Sequence, residues 1–363
     1  MLDIISYAVL AGFRSPSISL VSGEPKGSIQ VGRSAILCHR TLYGGCGILP
    51  MLPANHFLIM MFVLALCPTP LAAQQAKSAV TIDHRIRTAI QGFPGNVSLY
   101  AKNLDTGQSY GLQPDAPVPT ASTIKLPIMV ELFAQAAEKK LDWNQKLELT
   151  DQDKVSGSGV LTEFSGGDAF PIRDLMHLMI VVSDNTATNL ILDRIGGNAV
   201  NQRMAQLGLK QTAVMRKIMQ TKLFPKNANP QPEGLTDEGR KPGNDRWGTG
   251  RSCPSDMVAI LEKLYRGELV SKAASDEMIS VLKRQQDHNG VGRDMKNTVI
   301  ASKTGALDHL RSGVAIVYSE HGPVAMAITV NNIPDVDWSV DNPGNLLLST
   351  LSQILVEELA PSK

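Results

Sequence analysis

The 363-residue chain is short of cysteine and of aromatic residues, and it carries no excess charge of either sign. Four cysteines are too few for a disulfide-stapled scaffold. Lys+Arg 35 against Asp+Glu 34 leaves a net charge of +1. That balance excludes the basic field of a nucleic-acid binder and an acidic tail alike. The seven histidines are scattered, with no HExxH, no CxxC and no paired His/Cys cluster, so neither a metal nor another cofactor is expected. No apolar run approaches the roughly 20 residues of a membrane-spanning helix. With 43% hydrophobic and 19% charged residues, what remains is a globular chain, long enough for about two domains on the usual prior.

The N-terminal part differs from the rest. Residues 1–50 mix Gly, Ser and apolar residues without a period of 2 or 3.6, and read as an over-extended start with no ordered structure. The uncharged stretch Phe57–Leu66 has the length of a secretory h-region, about 7–15 residues, and Leu71-Ala72-Ala73 followed by Gln74-Gln75 resembles a small-residue cleavage site. Met51 precedes the run by six residues, so 51–73 reads as a signal peptide and 74–363 as the mature chain, periplasmic or secreted. Met51–His56 holds no Lys or Arg, which keeps an uncleaved N-terminal anchor as the alternative. Cleavage would leave no stable membrane insertion and one cysteine, Cys253, expected to be a buried small apolar residue beside Pro254.

From residue 74 the pattern is α+β. Residues 80–92 read as a short helix, and Asn96–Asn103 and Gln108–Leu112, around Asp105-Thr106-Gly107, as strand, turn and strand. A helical block follows at Ser122–Lys140, Ile172–Val182, Ala187–Ile195, Ala199–Leu207, Asp256–Tyr265 and Ala273–Arg284. Strands return at Asn297–Ser302, Gly313–Ser319 and Val324–Asn331, before an apolar helix at Leu346–Leu359. Strands at both ends predict one antiparallel sheet whose early and late strands pair, packed on a mostly helical lobe. Phe224–Gly250, rich in Pro and Gly, reads as a loop insertion.

Three short motifs carry chemistry. Ser122 and Lys125 lie three apart where Pro127 marks a helix start, so both share one helix face. A serine hydroxyl needs a neighbour to take its proton, and a desolvated lysine can serve. Ser183-Asp184-Asn185 follows an apolar segment and opens another helical run; alone it is a helix-starting turn. Lys303-Thr304-Gly305 follows β-branched residues and reads as the end of a strand. S-x-x-K, SDN and KTG in this order form the signature set of class A β-lactamases and penicillin-binding proteins.

On these motifs, and on Val155–Leu161 and Ile172–Gly196, the chain from about Val80 to Leu359 resembles the class A β-lactamase family of penicillin-recognising serine enzymes. The resemblance implies the serine β-lactamase/D,D-peptidase fold, a monomer, and a β-lactam or cell-wall peptide as small-molecule partner. It implies Ser122 as acylated nucleophile, Lys125 as proton acceptor, and Ser183 as donor to the leaving nitrogen. Asn185 would hold the substrate amide, Lys303, Thr304 and Arg311 its carboxylate, and the N–H groups of Ser122 and Ala306 its oxyanion.

One part of the family pattern is missing. The resemblance implies a deacylating glutamate soon after Arg216, yet Lys217-Ile218-Met219 follows, and Lys210–Phe224 contains no acidic residue. The nearest carboxylates are Glu233, Asp237 and Glu238, of which Glu233 and Glu238 are the candidate bases. The reading these residues favour is a working β-lactamase (antibiotic resistance); the alternatives are a penicillin-binding D,D-peptidase-like or esterase-like hydrolase with slow deacylation and, after it, a non-catalytic module that binds cell-wall peptides or antibiotics.

Overall fold

The computed structural model describes residues 81–218 and 234–361. The over-extended start, the signal peptide and Glu233 lie outside the described residues.

The centre is a five-stranded antiparallel sheet of order β2-β1-β10-β9-β8, built from β1 (Asn96–Asn103), β2 (Ser109–Leu112), β8 (Val299–Leu307), β9 (Leu310–Ser319) and β10 (Gly322–Asn331). Early and late strands meet where Asn96–Asn103 pairs with Asn331–Val324. β9 and β10 are buried at almost every position because both faces of the sheet are covered. Alternation then divides their side chains between two cores. Ala315, Val317, Met326, Ile328 and Val330 pack with Ile82 and Ile86 of α1 (81–90) and with Leu351 and Leu355 of α8 (Pro343–Leu359). Val314, Ile316, Ala325 and Ala327 face the helical lobe.

That lobe is arranged around α2 (Lys125–Ala137), which is buried on every side from Lys125 to Gln135. A helix apolar all round belongs inside a core, and here it is flanked by α3 (Ile172–Val181), α4 (Asn185–Ile195), α5 (Gly197–Gln206) and α7 (Lys272–Leu282), while α6 (Pro254–Tyr265) packs on the sheet and against α7. Cys253, just before α6, is free and 2% exposed. None of the described helices is long and apolar enough to cross a membrane.

Three local features differ from the sequence expectation. Lys303-Thr304-Gly305 lies inside β8, which runs on to Leu307 instead of ending at the triplet. Short strands add a three-stranded sheet, β3 (Val118–Pro119), β7 (Gly250–Ser252) and β6 (Ala213–Val214), and a hairpin of β4 (Lys146–Glu148) with β5 (Ala169–Pro171). Strands of two or three residues are too short to display a period of 2. The described part of the expected insertion is built into the molecule: Leu235 bridges Arg216, and the buried Thr236 hydroxyl donates to Val214 and Met215 carbonyls.

Candidate active site

Ser122 sits in a 3₁₀ turn (Ala121–Ile124) that runs straight into α2. The Lys125 N–H donates to the Ser122 carbonyl. Side chains three apart in such a turn lie on one side of it, which puts Lys125 on the same side as Ser122. Ala121 reaches this geometry at φ +47°, and Ser183, on the opposite wall, sits at φ +57°. Such left-handed conformations are uphill for non-glycine residues and persist when the surroundings impose them.

Here the surroundings are well defined. Lys125 is fully buried, and its Nζ donates to the Ser183 carbonyl at 2.7 Å, to Asn185 Oδ1 at 2.8 Å and to Ser183 Oγ at 3.1 Å. Burial first, and then the Lys303 ammonium, hold Lys125 well below the usual lysine range, with Asp184 acting in the opposite direction. Lys303 is also fully buried; burial pushes it down to about 7, opposed by Asp287. Its Nζ donates to the Thr304 carbonyl at 2.8 Å.

Asp184 carries the wall. Its carboxylate accepts from Val160 N–H at 2.6 Å, Leu161 N–H at 2.9 Å and Ala187 N–H at 2.8 Å, joining the 155–161 loop to the start of α4. Asn185 Nδ2 donates to Ser156 O at 3.1 Å. The glycines of that loop follow from this packing: a Cβ on Gly159 would lie 2.3 Å from the Asp184 carboxyl. Gly305 plays the same part opposite, since its Cβ would meet Thr120 O at 2.8 Å and Ser122 N at 3.2 Å. Only a bare backbone lets β8 come this close to the serine.

Ser122, Ser183, Asn185, Thr304 and Ala306 line one cleft of about 1020 Å³. The structure brings these together, with Lys125 and Lys303 buried beneath. Two sequence candidates fall elsewhere. Arg311 does not line the cleft: it pairs with Ala306, on the alternate face from Lys303, and its Cγ lies 2.9 Å from the Cβ position of Gly344 in α8. Its Nη1 donates to Leu307 and Leu310 carbonyls and its Nη2 to the Asp337 carbonyl, so it clamps two rim loops instead of meeting a substrate carboxylate. Glu238 is committed to Lys241 at 2.5 Å and Asn244 at 3.1 Å, with Arg251 at 3.4 Å, and is absent from the cleft wall. Those partners, Lys241 above all, hold its carboxyl below the ordinary range. Asp237 is taken by Asn198 and Arg240 at the surface.

The wall of the cleft also carries Ile218, 5% exposed. Asn189 brackets its backbone: Ile218 N–H donates to Oδ1 at 2.8 Å and Nδ2 donates to Ile218 O at 3.0 Å. Asn189 had no role in the motif reading, although it lies four residues after Asn185, on the same helix face. The described residues contain no His/Cys/Asp/Glu cluster suited to a metal ion.

A serine over a buried lysine, between a helical lobe and the edge of an antiparallel sheet, defines the serine β-lactamase and penicillin-binding class of fold. The chain belongs to the beta-lactamase enzyme family, whose model matches residues 81–359. It is 25% identical over 207 residues to beta-lactamase BRO-1 of Moraxella catarrhalis, covering 56% of this chain and 60% of that protein. It is 26% identical over 277 residues to beta-lactamase CARB-3 of Pseudomonas aeruginosa, covering 74% and 89%. Among solved structures it is similar to a leucine-to-glutamate variant of PBP-A, an acyl-enzyme complex with penicillin G, with TM-score 0.63, 25% identity and coverage of 76% and 94%.

Proposed function

We propose that the protein is an exported, monomeric serine hydrolase that opens β-lactam amides through a Ser122 acyl-enzyme and releases the acyl group slowly, in the manner of a penicillin-binding or D,D-peptidase-like enzyme. The observation that carries this reading is the combination of a complete acylating set with an apolar Ile218 in the wall of the same cleft.

In the acylation step Lys125, in its unprotonated form and so keeping two of its three donated hydrogen bonds, accepts the Ser122 proton and Oγ attacks the lactam carbonyl. Developing charge on the carbonyl oxygen meets the N–H groups of Ser122 and Ala306; one such donor is worth about 100- to 1,000-fold in rate. Ser183, 3.1 Å from Lys125 Nζ, passes a proton to the leaving nitrogen as the C–N bond breaks, which leaves an ester on Ser122. Lys303 and Thr304 receive the substrate carboxylate. Release needs a base within about 2.6–3.2 Å of a water, or one relay away. Among the described residues Ile218 offers none and Glu238 is held elsewhere, which leaves Asp245, Asp287 and Asp308 as the carboxylates of the cleft wall.

The names of the curated relatives favour a second reading, a β-lactamase with sustained turnover. Intact mass after exposure to benzylpenicillin, together with hydrolysis of a chromogenic cephalosporin, separates the readings. A stable adduct with a stoichiometric burst is expected. Sustained turnover establishes the second reading, and no adduct at any time leaves only a binding module.

A further inference from the structure

Past Ala306 the cleft is lined by Leu307 and Leu310 at the β8–β9 turn and by Trp338, an aromatic side chain that the acyl-transfer chemistry does not use. Trp338 is 62% exposed, whereas tryptophan is on average a well-buried residue. Its loop is nonetheless held firmly. The Asp337 carbonyl accepts from Arg311 Nη2 and, at 2.7 Å, from Asn342 Nδ2, and Asp337 Oδ1 accepts from Ser339 N–H at 2.7 Å. Two residues on, Arg293 Nη1 donates to the Val340 carbonyl at 2.5 Å. Asn342 is fully buried and caps α8 through Gly344 N–H. The Arg311 guanidinium lies 4.9 Å from the indole centroid, so the ring is fixed by a cation on one side and open on the rest.

An indole immobilised before binding stacks a ligand ring without further ordering cost. The direction of β8 tells which part of a ligand arrives there. Lys303 and Thr304 come first, Ala306 next and Leu307 last. A substrate with its carboxylate at the first pair and its carbonyl oxygen at Ala306 extends its acyl side chain toward Leu307 and Trp338. The geometry points to Trp338 as the specificity-determining platform of the cleft, selecting acyl donors whose acyl side chain carries a flat aromatic ring. This inference rests on the acyl-transfer reading of Ser122.

The test uses the purified protein and two penicillins, benzylpenicillin and one with a straight aliphatic acyl chain, with second-order acylation constants read by intact mass. Trp338→Ala should lower the benzylpenicillin constant by about tenfold while changing the aliphatic one less than about threefold, and Trp338→Phe should retain most of the preference. Val336→Ala, at a position 55% exposed but off the cleft wall, should leave both constants unchanged. Equal losses for the two penicillins in Trp338→Ala, or no loss in either, overturn the inference while the acyl-transfer reading stands. Failure of both penicillins to acylate the wild-type protein refutes the acyl-transfer reading itself, and this inference with it.

Discussion

Ile218→Glu offers the most direct test of why the acyl group should stay. The backbone at this position is gripped from both sides by the Asn189 amide, at 2.8 and 3.0 Å, so a longer side chain starts from a fixed point on the wall that holds Ser122 and Asn185. A positioned general base contributes about 100- to 10,000-fold, which corresponds to about 3–5 kcal/mol of deacylation barrier. Against this stands the loss of a side chain that is 5% exposed, about 1.5–3 kcal/mol of apolar burial. The partly desolvated carboxyl will also titrate above its usual range, so the gain should grow as pH rises through that titration. The assay is the lifetime of the benzylpenicillin adduct after removal of free drug, for wild type, Ile218→Glu and the isosteric Ile218→Gln. The adduct should decay at least about 100-fold faster in the Glu variant alone. Equal lifetimes in folded Glu and Gln variants would refute the reasoning, because carboxylate absence at this point would not then be what limits release.

Three more predictions follow from the same geometry. Lys303 is pushed down to about 7 by burial while the unfolded chain keeps that proton to about 10.5; the unfolded state therefore binds more protons between these values, and stability rises with pH across that window. Urea unfolding at pH 7 and pH 9 should show this rise in wild type and a shallower one in Lys303→Met; identical slopes would contradict it. Asp184→Ala removes the acceptor of three backbone N–H groups, at about 1–3 kcal/mol for each buried donor left unpaired, so a urea-measured loss below about 1 kcal/mol would contradict the assigned role. Gly305→Ala forces β8 away from Thr120 O and Ser122 N, and should slow benzylpenicillin acylation by about 10- to 100-fold, part of the value of an oxyanion donor; wild-type acylation in that variant would show that the strand can yield.

What the sequence could and could not reveal about the site follows from how each contact is made. Ser122 and Lys125 were legible because one helical turn decides their relation, whatever happens elsewhere in the chain. β1 was legible to the residue because Asn96–Asn103 is long enough to show its pattern and is bounded by turn residues. Glu238 was not, because its partners Lys241, Asn244 and Arg251 meet it through turns with no period to read. Arg311 is the sharper case. Its distance of eight residues from Lys303 says nothing about the side of the sheet it occupies, since the two are joined by a hairpin and the turn length sets the parity. Here Leu307 pairs with Leu310, so Arg311 pairs with Ala306 and points away from the face of Lys303. One residue more or less in that turn would move Arg311 to the other face, because a register slip of one reverses every side chain beyond it. The same parity that takes the guanidinium out of the cleft sets it under the Trp338 ring and into the Asp337 carbonyl. A two-residue turn thereby replaces a charged contact in the cleft with an aromatic rim.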